Sequence, residues 1–216
     1  MKAHIAYLKY VLRHKWYVFL ACRTLRVPLW QSVVHDWTKF LPQEWFPYVR
    51  KFYASEYRVG DIVDFQGIDG PHGDSRILEI ASGSPCYDER TFRLQTLDGS
   101  QPKAFWTYGQ NEIKENLTIG WAFDNAWNHH QAWNKHHWQY WFLIEDSGEE
   151  TALEMPERYA REMLADWVGA GRAITGKLEV ADWYDANKEK IRLHSKTREL
   201  VEKLIAQNYI IGDHGL

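Results

Sequence analysis

His35 and Asp36 stand side by side in V-V-H-D-W-T-K-F, and His14 precedes them on an earlier helix-like segment. An adjacent imidazole and carboxylate start from one point of the backbone, so both can reach a single divalent cation once further donors arrive from elsewhere. Donors are available. The stretch Ala126 to Trp141, A-W-N-H-H-Q-A-W-N-K-H-H-W-Q-Y-W, is rich in histidine, and Asp166 follows in E-M-L-A-D-W. His14, His35, Asp36 and Asp166 form the expected ligand set, with Glu162, one turn earlier, competing with Asp166 for the last place. Two imidazoles and two carboxylates suit Mn, Fe, Co, Ni or Zn, because Mg and Ca prefer oxygen donors.

The histidine-rich stretch bears on whether one ion or two are held. Read as one continuous helix from Trp121 to Ile144, it puts His130 and His137 on one face but about 10.5 Å apart along the axis, too far to share an ion in the usual way. His130, with Asn134 one turn on, is then expected to face the metal water or a second ion. His137 or His136 would contact substrate phosphate or protonate the leaving group. The alternative is that Trp127, Trp133, Trp138 and Trp141 are the purpose of the helix and the histidines merely satisfy buried partners. Lys39, four residues after His35, reaches toward a phosphate or else forms a surface pair with Glu44. Glu44 itself is a candidate to accept a proton or orient water. Arg158, Lys196 and Arg198 are candidate substrate-phosphate clamps, since L-H-S-K-T-R (Leu193 to Arg198) precedes a helix N-terminus; otherwise they are simply solvated charges.

These residues must be carried by helices. Ile5, Leu8, Leu12, Trp16 and Phe19 recur at steps of three and four and predict a helix over residues 1–26, with His14, Val18 and Cys22 on a second stripe. Val27-Pro28 ends it, and a second helix from Gln31 to Phe40 carries the dyad. A third starts at Leu41-Pro42 and runs to about Ala54. From Tyr57 the grammar changes to short alternating runs, V-G-D-I-V-D-F, S-R-I-L-E-I, T-F-R-L-Q-T-L-D-G and A-F-W-T-Y. Turn signals at Gly-Ile-Asp-Gly-Pro, Ser-Gly-Ser-Pro and Asp-Gly separate them. They predict about five antiparallel strands, similar to an SH3-like barrel in R-V-G-D-I-V and L-D-G, inserted at 57–117 between helical parts 1–56 and 118–216. Beyond them, a helix opens at Met155-Pro156 and is expected to close at Gly169-Ala170-Gly171. A short helix over Asp182 to Ile191, a last one capped near Ser195, and a fraying tail over 212–216 complete the chain.

A chain of 216 residues with 45% apolar and 25% charged residues and a net charge of -3 is globular, and that charge argues against a sequence-blind nucleic-acid coat. Cys22 and Cys86 sit in unlike contexts, which argues against a disulfide framework and for a reducing, cytoplasmic setting. No apolar run is long enough to cross a membrane, so no membrane partner is expected. The 12 tryptophans either fill a core or stack a nucleobase or sugar.

The series His14, His35-Asp36, Lys39 and Asp166 resembles the HD-domain superfamily of metal-dependent phosphohydrolases. More closely, R-H-K-W-Y-V, H-D-W-T-K-F-L-P-Q-E-W, N-K-H-H-W-Q-Y-W and E-M-L-A-D-W look like an uncharacterised branch common in bacteria and their phages. The resemblance implies a mainly α, HD-domain-like helical bundle in which His14, His35, Asp36 and Asp166 bind a first metal and Asp36 bridges to a second in binuclear members. It implies hydrolysis of a nucleotide or related phosphate ester through a metal-activated water, with one or two divalent transition-metal ions as cofactor. Two alternatives stay open: a di-iron oxygenase of the same superfamily, and a module that grips nucleic acid or protein through the β-rich insertion. Oligomeric state is not fixed by the sequence.

Overall fold

A computed structural model of the chain describes residues 1–54, 56–66, 72–81, 91–97, 104–108 and 113–209. The expected turns at 67–71, 82–85 and 98–99, Cys86 and the tail over 212–216 lie outside the described residues. The fold is mainly helical with a small antiparallel sheet, α+β overall. Its helices are α1 (Lys2–Thr24), α2 (Leu29–Val34), α3 (Pro42–Tyr53), α4 (Leu117–Trp133), α5 (Glu157–Thr175), α6 (Val180–Asn187) and α7 (Ser195–Tyr209). Between α3 and α4 run β1 (Ile62–Gln66), β2 (His72–Ala81), β3 (Thr91–Thr96), β4 (Ala104–Tyr108) and β5 (Ile113–Asn116); β6 (Phe142–Ile144) and β7 (Glu150–Ala152) form a separate ribbon. No helix among the described residues is long and apolar enough to cross a membrane.

Two compact units result, Met1–Glu44 with Asn128–Leu216, and Trp45–Trp127. The second holds the five strands in the order β4-β3-β2-β1-β5, all antiparallel. Alternation in β1 and β3 turns Val63, Phe65, Phe92 and Leu94 inward with Ile77 and Ile113. Its limits are wider than the expected 57–117, because Tyr48 and Phe52 of α3 pack edge-on against Phe123 of α4, with ring centroids 5.1 and 5.2 Å apart.

In the first unit α1 packs along α5, and α5 against α7, around Val18, Ala21, Cys22, Leu164, Ala165 and Leu204. The buried stripe of α1 is Tyr7, Val11, His14, Val18 and Cys22; Ile5, Leu8, Leu12 and Trp16 are exposed instead. Helix α5 does not close at Gly169. It runs on to Thr175 and ends at Gly176, whose φ of 77° suits a residue without Cβ. Gly169 serves a different purpose: a Cβ there would meet Val18 Cγ2 at 2.4 Å and the Val18 backbone at 2.7–2.9 Å. Backbone cannot yield as a flexible side chain can, so Gly169→Ala is expected to destabilise by about 1–3 kcal/mol. For a domain of this size that is a melting-temperature drop of roughly 3–10 °C, and an unchanged melting curve would refute the close approach.

Candidate metal centre

The dyad does not ride inside a helix. Helix α2 stops at Val34, His35 leaves it with extended ψ, and Asp36 sits at φ 54°, ψ 29° before a short 3-10 turn over Trp37–Phe40. The expected continuous helix from Gln31 to Phe40 is therefore broken at the dyad. Asp tolerates the left-handed region better than most residues, and such conformations gather at functional sites. The break lets His35 and Asp36 diverge from consecutive positions yet aim at one point. Lys15 of α1 holds it from outside, its ammonium donating to the carbonyl of His35 and, at 3.4 Å, to that of Val33.

Helices α1 and α5 complete the first cluster. His14 Nε2 lies 3.2 Å from Asp36 Oδ2 and 3.2 Å from Asp166 Oδ1. His35 Nε2 lies 3.5 and 3.3 Å from the same two oxygens. Four donors spaced in this way match the edges of a coordination polyhedron with bonds of about 2.1 Å, roughly 3.0–3.4 Å. Glu162, one turn before Asp166 on α5, meets the other side of His35, whose Nδ1 donates to Glu162 Oε1 at 3.0 Å while Gln31 donates to the other oxygen; Glu162, His35 and His136 also form a third group that could hold an ion. Glu162 thus fixes the tautomer of His35 from behind.

A second cluster meets the other oxygen of Asp36. His130 Nε2 is 3.4 Å and His136 Nε2 3.3 Å from Asp36 Oδ1, and His137 joins them within 4.8 Å. His130 Nδ1 donates to Glu44 Oε2 at 2.8 Å, while His129 Nδ1 takes Glu44 Oε1 at 2.8 Å. This arrangement corrects the reading of one helix to Ile144. Helix α4 ends at Trp133, where the Asn134 amide donates to the His130 carbonyl at 2.7 Å and to Thr38 at 2.8 Å. The chain then turns, so that His130 and His137 ring centroids lie 4.8 Å apart instead of two helical turns. His136, expected at the substrate, joins this cluster, and Asn134, expected beside His130 at the metal water or a second ion, caps α4 next to it.

Lys39 is buried, not paired at the surface with Glu44; its ammonium lies 3.1 Å from Asp36 Oδ2 and 3.3 Å from His130 Nε2. Both oxygens of Glu44 are held by imidazoles, so its place is to orient His130 and His129. Arg158, Lys196 and Arg198 are not brought to the clusters. Arg158 stacks on Tyr159, Lys196 pairs with Glu154 at 3.0 Å, and Arg198 donates to Tyr184 and to the carbonyls of Lys188 and Ile191, tying α6 to α7. Gln31, Thr38 and His129 are supporting residues that sequence reasoning did not single out.

The donor chemistry fits cations. With their Nδ1 hydrogens on Glu162 and Glu44, neutral His35 and His130 would turn Nε2 lone pairs toward the oxygens of Asp36, and the Lys39 ammonium already meets that of His130 at 3.3 Å. A lone pair facing a carboxylate repels it unless a proton or cation lies between. His35 Nε2, His136 Nε2 and Asp36 Oδ1 are buried atoms that make no hydrogen bond. Asp36, Asp166, Glu162 and Glu44 against Lys39 leave a formal charge of -3 when the imidazoles are neutral, an excess that buried groups cannot carry unpaired.

Protonation reports the same excess. Burial pulls the His35 imidazole down, but Asp36, then Asp166 and Glu162, outweigh it and hold it at about 10. Burial likewise opposes the charge on Asp36 and Asp166, yet facing His35 and Lys39 in one case, and His14 and His35 in the other, hold both well below the carboxylate range. Burial, then His136 and His130, keep His137 neutral. In the cation-free protein the His35 contribution to stability is complete below its ordinary 6.5 and lost as pH rises through about 10. The carboxylate contributions are present above about 4 and lost as pH falls through the depressed values. Loading a divalent ion near pH 7.5 must therefore expel the His35 proton, and affinity should tighten as pH rises toward 10. Titration calorimetry in buffers of different ionisation enthalpy is expected to show about one proton released for the tightest ion; binding without proton release would contradict that assignment.

No curated protein and no solved structure matches the chain. A family model described as a family of unknown function (DUF5662) matches residues 3–63 and 88–207, most of the chain, and the protein belongs to that family.

Proposed function

We propose that this chain is a binuclear metal-dependent phosphohydrolase of the HD-domain type, acting on a nucleotide or a related phosphate ester. The observation that carries the reading is that two donor sets share Asp36: His14, His35 and Asp166 meet Oδ2, and His130, His136 and His137 gather at Oδ1. A carboxylate that offers one oxygen to each set would keep two ions close together, as a two-ion phosphoryl-transfer site needs. The mixed imidazole and carboxylate donors favour Mn, Fe, Co, Ni or Zn. Divalent ions held there supply Lewis acidity toward a phosphoryl oxygen and toward water.

The chain's own residues supply the rest. Glu162 and Glu44 fix the tautomers of His35 and His130, so that the donor lone pairs are oriented before any substrate arrives. Lys39, charged and held beside Asp36, is positioned to meet a phosphate oxygen. Burial of the His and Asp side chains excludes bulk water, which strengthens each electrostatic contact with a developing negative charge. Metal analysis of the purified protein, followed by a phosphate-release screen over nucleotides with Mn, Co, Ni and Mg, tests the reading. Two ions per chain with metal-dependent release support it. Two irons with oxygen uptake and no phosphate release would instead select the oxygenase chemistry.

A further inference from the structure

The outward face of α1 and α2 is apolar, basic and unneutralised. Leu12 and Trp16 are 54% and 57% exposed, and Ile5 and Leu8 extend the stripe along α1. Leu8, Leu12 and Lys15 lie in one row at steps of four and three. The Lys15 ammonium reaches the carbonyls of Val33 and His35, so this row continues onto the exposed Leu29, Trp30, Val33, Val34 and Trp37 around α2. Exposed aliphatic and tryptophan side chains gathered on two neighbouring helices are the kind of surface that marks an interaction site.

Charge decides among occupants. Residues 1–35 contain no Asp or Glu, although the whole chain has a net charge of -3. Lys2, Lys9 and Arg13 are exposed along the edge of the α1 stripe, with Arg23 and Arg26 beyond its end. None of Lys2, Lys9, Arg13 or Arg26 forms an ion pair with a carboxylate among the described residues. A second copy presenting the same face would set like charges together. A nucleic acid would find tryptophans to stack on but no use for Ile5, Leu8, Leu12, Val33 and Val34. Aliphatic side chains and tryptophans, edged by Lys and Arg, are the composition that lies in the headgroup region of an anionic bilayer.

We propose that this face docks the protein on anionic phospholipid surfaces. The apolar row enters the headgroup boundary and Lys2, Lys9 and Arg13 pair with lipid phosphates. The inference is independent of the metal reading, since none of these side chains is a candidate ligand.

Flotation of the full chain with phosphatidylcholine vesicles, with and without about one-third phosphatidylglycerol, tests it. The chain is expected to float with the anionic vesicles and not the neutral ones. Each basic residue near such a surface is worth about fivefold in affinity, so Lys2→Glu with Lys9→Glu should weaken binding by at least about tenfold. Leu12→Glu should do the same through the apolar row. Both sets of changes are on exposed side chains, and circular dichroism checks that the helices persist. Equal flotation with both vesicle types, no flotation, or flotation untouched by both variants would overturn the proposal. So would a dimer in sedimentation that Leu12→Glu disperses, or retention on single-stranded DNA that outcompetes the vesicles.

Discussion

Asp36→Asn is expected to strip the protein of both ions and to reduce phosphate release by at least about 10³-fold, the scale of several kcal/mol of lost charge stabilisation. Asn is the informative choice because position 36 sits at φ 54°. Asn accepts that left-handed conformation, whereas Ala would add backbone strain to the loss of charge. The amide keeps size and backbone but removes the negative charge that His14, His35, His130 and His136 all face. One of its two ends also becomes a donor aimed at an imidazole lone pair. The buried Lys39 ammonium would also lose the carboxylate 3.1 Å away. Metal content should therefore fall at both clusters together while the helical signal persists. Full occupancy of either cluster in the folded variant would mean that Asp36 does not join them.

Residue type made much of this centre legible in the sequence, and geometry made the rest illegible. An adjacent His and Asp can be recognised without knowing the backbone, because few other arrangements gather two donors so cheaply. The local path of the chain was harder. Val33, Val34, Trp37 and Phe40 fit helical periodicity, yet the helix breaks between them, and no Gly or Pro marks the break. The turn after Trp133 did leave a signal, since Asn134 is a residue type that commonly ends helices. Treating 121–144 as unbroken hid the approach of His136 and His137 to Asp36.

Helix α1 offered two apolar stripes, and periodicity alone could not rank them. Chemistry could have done so: a ligand at His14 must face inward, and His14 shares its side with Val11 and Val18, not with Leu12. Gly169 likewise looked like a stop, although its missing side chain is what lets α1 and α5 approach closely enough to bring His14 to Asp166.

His130→Ala and His137→Ala are each expected to remove one ion of the two and to lower turnover by roughly 10²–10³-fold, as loss of one electrostatic contact to the reacting phosphate does. The ion among His14, His35, Asp36 and Asp166 should stay, because those four donors and the Glu162 contact behind His35 are untouched. His130 carries a further expectation that His137 does not. Its Nδ1 hydrogen is spent on Glu44, so Glu44→Gln should weaken the second ion by about 10- to 100-fold without removing a ligand, the usual effect of losing an orienting partner. His137 is kept neutral by burial and by its neighbours His136 and His130, so it offers a lone pair without first shedding a proton. Burial and Lys39 pull His130 of the same cluster down, but Asp36 and Glu44 outweigh them and raise it, so each cluster must shed a proton to load and occupancy of both should fall as pH drops. The measurement is metal content per chain beside phosphate release for each variant across pH. Two ions retained with unchanged turnover in both histidine variants would return His130 and His137 to the role of buried packing residues, and loss of both ions in either would mean that the clusters form one inseparable site.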